Sequence, residues 1–133
     1  MSKQGKSSEG LSSKGYIFGL GAFRRYKEIT GEDISHFEQS LSGEVDLIEA
    51  NYRWAVMLKC ANDVYVNING GEKLTVDAFE VLLNDAQQPE SDKLMNQYLD
   101  SNFLGKPMRE YYGIPAAKEE TKKKKSPQVK PTP

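Results

Sequence analysis

Apolar residues recur along this chain at three- and four-residue intervals, and that spacing predicts helices. The first lies over about residues 21–31, GAFRRYKEITG, where Ala22, Tyr26 and Ile29 fall at i, i+4 and i+7 with Phe23 beside them. Arg24, Arg25, Lys27 and Glu28 then face away. Gly31 stands where a left-handed C-cap belongs, so the helix should stop there and leave Ser35, His36 and Phe37 in a short connector or separate turn. The longest helix is expected over about residues 44–61. Val45, Ile48, Tyr52, Ala55 and Val56 make one stripe, Leu47, Trp54 and Leu58 widen it, and Asp46, Glu49 and Arg53 point outward. A face this broad predicts a helix central to the core, with Glu44, Asp46 and Glu49 placed favourably at the positive end of its dipole.

The pattern changes over residues 62–74. Val64, Val66 and Ile68 alternate with Tyr65, Asn67 and Asn69 ahead of Asn69-Gly70-Gly71, which fits a short hairpin or an extended connector. A third helix should open at Thr75 as N-cap and run to about Asp85, burying Val76, Phe79, Leu82 and Leu83. Gln87-Gln88-Pro89 breaks it. A fourth begins near Ser91, carries Leu94, Met95, Tyr98 and Leu99 to about Phe103, and ends before Gly105 and Pro107. One more turn is expected at Met108–Tyr112. The fold class is therefore mainly α, a compact bundle of about four helices over residues 15–113.

Composition adds the tails. Residues 1–14 are mostly Ser, Lys, Gly and Gln, with Leu11 as the one sizeable apolar group after Met1. They are expected to stay disordered, because ordering costs about 1–2 kcal/mol per residue. The same is expected of the Lys- and Pro-rich residues 114–133. Net charge is −1 overall, yet residues 1–14 carry +2 and residues 114–133 carry +4, which leaves −7 on the body. An acidic body with basic tails argues against folding around nucleic acid. Mean hydropathy is −0.65, and no apolar run approaches the roughly 18–20 residues of a membrane span. The opening residues hold no apolar stretch of about 7–15 residues such as a signal peptide carries. With the single cysteine, Cys60, these features predict a cytoplasmic address.

Reactive side chains are sparse. His36 is the only histidine and has no ligand partners at zinc spacing. Cys60 sits on the apolar face of the long helix, where a buried thiol is expected rather than a nucleophile. Gly19-Leu20-Gly21 lacks the third glycine of a dinucleotide loop and any Gly-Lys-Ser/Thr ending, so it is read as a tight entry turn. Asp77, Glu80 and Asp85 lack the ligand alternation of a calcium loop and are read as a solvated face. No catalytic, cofactor or metal residues are therefore expected, and the chain reads as a binding protein. Its aromatics gather near the ends of the ordered body. Phe18, Phe23, Tyr26 and Tyr112 are the expected partner contacts, since aromatics dominate interface hot spots.

The stretch Phe18-Gly19-Leu20-Gly21-Ala22-Phe23-Arg24-Arg25-Tyr26-Lys27-Glu28-Ile29-Thr30-Gly31 resembles the opening of the small tail assembly chaperones of long-tailed bacteriophages and prophages. The run from Leu74 to Leu83, LTVDAFEVLL, resembles the start of their second helix pair. The resemblance spans roughly residues 18–103. It implies a small helical protein of the bacterial host cytoplasm, absent from the mature virion. Such a protein binds the tape measure protein and keeps it soluble while the tail tube assembles, without catalysis or cofactor. The tail tube protein would be a second partner, and homo-oligomerisation is left open. The competing expectation is a small helical nucleic-acid-binding regulator that uses Arg24, Arg25 and the lysine-rich tail.

Overall fold

The structure, a computed structural model, describes residues 10–114. A single 3-10 turn, Leu11–Ser13, precedes α1 (Leu20–Thr30), α2 (Ile34–Leu41), α3 (Leu47–Asn69), α4 (Val76–Asp85) and α5 (Gln88–Asp100). A minimal antiparallel hairpin follows, β1 (Asn102–Phe103) on β2 (Lys106–Pro107), and α6 (Met108–Tyr112) closes the body. The fold is mainly α with a helical core. Among the described residues no helix is long and apolar enough to cross a membrane.

α3 is the axis. Its 23 residues extend about 35 Å at 1.5 Å per residue, and α1, α2 and α4 all pack on it. The stretch from Arg53 to Asp63 is buried except for Lys59, which is half-buried. Around it lies an aromatic cluster centred on Tyr98. Phe18 and Phe37 each meet Tyr98 edge-on at 5.4 Å, while both stack on Trp54 at 6.2 and 5.9 Å. Such offset and edge-to-face pairs add about 0.5–1.5 kcal/mol each beyond the area they bury.

Several boundaries differ from the sequence expectation, each for a local reason. The alternating residues 64–69 are the last turns of α3 and form neither hairpin nor connector. Val64 lies against Gly21 of α1, and the Tyr65 ring lies over Gly15, so tertiary contacts override β propensity. A Cβ on Gly15 would sit 2.6 Å from that ring, and its φ of +80° already favours glycine. The hairpin instead forms at residues 102–107. Phe37 belongs to a helix of its own, α2. Asp33 caps that helix by accepting from Ser35 N at 3.0 Å, and hydrogen bonds from the Ser35 hydroxyl and from that N–H hold its carboxyl below the usual range. α3 starts at Leu47, with Asp46 as N-cap accepting from Glu49 N at 2.8 Å. α5 takes Pro89 into its first turn, where no N–H is required, and ends at Asp100.

Residues 10–14 depart from the expected disorder. Leu11 is fully buried, Tyr16 Oη donates to its carbonyl, and Ser12 N donates to Glu90 Oε2 at 2.7 Å. The expectations for residues 1–9 and 115–133 fall outside the described residues. Gly31 in the left-handed region and the Thr75 cap, accepting from Ala78 N at 3.1 Å, stand where the sequence placed them.

Candidate partner-binding surface

α3 is buried on every side through its middle turns, but its first turns carry apolar side chains that, among the described residues, no neighbouring element covers. Leu47 and Ile48 are neighbours in its first turn, so their side chains diverge by about 100°. Neither is covered: Leu47 is 75% and Ile48 80% exposed, with Tyr52 one turn further on at 39%. The residue that was expected to point outward, Arg53, is buried instead. Its guanidinium bonds Glu49 Oε2 at 2.8 Å, Gln39 Oε1 at 3.1 Å and the His36 carbonyl at 2.6 Å, stapling α2 to α3. Arg53 therefore marks where α3 leaves the core. The two turns before it project as an apolar ledge.

Opposite the ledge stands α4. Its Phe79 is driven fully into the core, and Glu80, Leu83 and Asn84 border the gap. With Leu47, Ile48, Asn51 and Tyr52 they line an open cleft of about 420 Å³. The charge of its walls is one-sided. Among the described residues, Glu80 is the one charged residue lining it. On the same two segments Glu44, Asp46 and Asp77 are exposed, Glu49 is paired with Arg53, and Asp85 borders a different groove. Such a cleft can take apolar side chains and place a carboxylate beside them.

A second groove, of about 480 Å³, runs between α2, α5 and the end of the described chain, lined by Leu41, Met95, Leu99, Tyr112 and Ile114 with Glu38 and Ser42 at its rim. Tyr112 Oη donates to Glu38 Oε2 at 2.8 Å and lies 2.6 Å from Tyr98 Oη. Burial pushes both phenols well above their ordinary range, and their mutual hydrogen bond raises Tyr112 further while opposing the rise at Tyr98.

Of the four expected contact aromatics, three are corrected. Phe18, Phe23 and Tyr26 are core residues, 5%, 8% and 0% exposed. Phe23 and Tyr26 lie on α1, which packs on α3, and Phe18, just ahead of α1, stacks on Trp54. Tyr112 alone reaches a surface, as a wall of the second groove. The cleft residues Leu47, Ile48 and Leu83 were read as core from their periodicity. The readable signal was the excess width of the α3 stripe.

The reactive side chains are engaged structurally. His36 Nδ1 lies 2.8 Å from Tyr26 Oη. Cys60 is fully buried, and burial, reinforced by the Asp63 carboxylate, pushes its thiol up to about 12. Arg25 donates to the Gly21 carbonyl within α1 at 3.1 Å, so of the arginine pair Arg24 is the exposed member. Gly19 is the N-cap of α1, which makes the glycine pair a helix entry. Among the described residues no group of three or more His, Cys, Asp or Glu side chains is arranged to hold a metal ion. Comparisons with protein-family models, curated proteins and solved structures returned no match to this chain.

Proposed function

We propose that this protein is a non-enzymatic tail assembly chaperone of a long-tailed phage or prophage, acting in the bacterial cytoplasm. Its client is the tape measure protein, which it holds soluble until tail tube subunits close around it. The carrying observation is the uncovered apolar ledge of α3 on an acidic body. A chain that serves long amphipathic helices needs apolar surface for them and a charged body to keep the complex dispersed. The resemblance of residues 18–31 and 74–83 supplies the identity of the client. Packing by Leu, Ile and Tyr is weakly directional and tolerates a repetitive partner sequence. The acidic body, and the engagement of Arg25 within α1, weigh against the nucleic-acid alternative.

The test is co-expression with the long helical protein encoded beside this gene, followed by size-exclusion chromatography of the soluble fraction. The proposal expects the partner to become soluble and to co-elute. A partner that stays insoluble, with this chain eluting alone, would overturn it.

A further inference from the structure

We infer that the cleft between the first two turns of α3 and the outer face of α4 is the docking site for a single amphipathic helix with basic flanks. This rests on the reading that the chain binds a helical client, and it assigns the surface and the chemistry of the segment recognised.

The walls of the cleft decide between occupants. Both walls are helices, whose N–H and C=O groups past the first turn are spent on their own hydrogen bonds. An extended segment laid here would leave its own backbone polar groups unpaired against apolar side chains, whereas a helix arrives with them satisfied. Ile48 and Tyr52 are one turn apart, about 6 Å along α3. That spacing matches the i, i+4 anchors a docked helix presents.

Charge selects among helices. Glu80 lines the cleft, and Glu44, Asp46 and Asp77 are exposed on the segments that form it, whereas Glu49 is already paired with Arg53. Lys59 is spent on Asp63 and the Leu74 carbonyl. Lysines or arginines flanking the apolar stripe of a guest would face these acids. A second copy of this chain would bring the same acids against them in a two-fold contact. An anionic lipid surface meets the same repulsion.

The test uses the full 133-residue chain and a fluorescein-labelled peptide of about 18 residues, long enough to form a helix on binding. The peptide carries Leu at i, i+3, i+4 and i+7 and Lys on the flanks. Two controls replace every Lys with Glu, or scramble the same composition so that no stripe remains. Anisotropy titrations should show binding of the Lys peptide at least about tenfold tighter than of either control. Leu47→Ser with Ile48→Ser should weaken it by a similar factor, with the circular dichroism of the protein unchanged. Glu80→Lys, also at an exposed position, should weaken the Lys peptide and favour the Glu peptide, and it supplies the test if the double variant does not fold.

Equal binding of the Lys and Glu peptides, or wild-type affinity in both variants, would overturn the inference. So would sedimentation showing a dimer that the double variant abolishes, since a second copy would then own the face. The peptide contains no client sequence. A chain that solubilises its client on co-expression but fails here keeps its proposed function and loses only this assignment of the surface.

Discussion

Ile48→Ser separates the two readings of the long helix. Read from periodicity, Ile48 belongs to the core stripe, and truncating a core aliphatic of that size costs about 2–5 kcal/mol. The structure leaves it 80% exposed. Full burial of such a side chain contributes about 1.5–3 kcal/mol, so the remaining fifth accounts for about 0.3–0.6 kcal/mol. Ser and Ile differ little in helix propensity, and the expected loss therefore stays below about 1 kcal/mol. Leu58→Ala is the companion variant. Leu58 is fully buried on the same helix, and its truncation should cost about 3–5 kcal/mol. Urea titration followed by fluorescence suits both variants. The single tryptophan, Trp54, is buried between Phe18 and Phe37, so its emission reports the packing of the core. An Ile48→Ser loss of 2 kcal/mol or more, comparable to that of Leu58→Ala, would show that the first turn of α3 is packed and that no open ledge exists.

Other consequences concern the core and its caps. Cys60 in the native protein should resist iodoacetamide at pH 8.5, because a thiol near 12 holds roughly a thousandfold less thiolate than a free cysteine. Alkylation as fast as in urea-unfolded protein would refute that burial. Stability should fall at alkaline pH. The thiol is raised from 9.0, and the buried Tyr16, Tyr26 and Tyr98, with half-buried Tyr112, are raised from 10.0. The unfolded chain therefore releases protons that the folded chain retains, and the stabilisation present below pH 9 is lost progressively as pH rises through 9 and 10. A urea midpoint constant from pH 8 to pH 11 would contradict this. Thr75→Ala removes the acceptor for Ala78 N and should cost about 1 kcal/mol, a drop of about 4–8 °C in Tm by scanning calorimetry; no change would mean the cap is idle.

Much of the fold was legible because its signals are local. Gly31 ends α1 and Thr75 starts α4 through single-residue backbone chemistry, which a sequence displays directly. The extension of α3 through residues 64–69 was not legible. Val64 and Tyr65 are held helical by Gly21 and Gly15, more than forty positions away, and no local pattern announces such contacts. The burial of Leu11 is of the same kind, secured by Tyr16 and Glu90. The surface was the hardest part to read. Periodicity says which residues share a face, and it does not say how far the neighbouring helices reach along it. Thus Phe18, Phe23 and Tyr26, expected as partner contacts, lie inside, while Leu47 and Ile48 were expected inside and lie outside. Arg53 draws that boundary through hydrogen bonds to α2, a role its charge alone would not suggest.

The most direct measurement is light scattering during dilution of the denatured neighbouring helical protein from urea, with this chain present in equal amount. The account predicts that wild type suppresses the aggregation signal and that Leu47→Ser with Ile48→Ser, folded but without its ledge, does not. Aggregation that proceeds unchanged in the presence of wild type would contradict the chaperone reading. Equal suppression by both proteins would contradict the claim that the ledge of α3 does the holding.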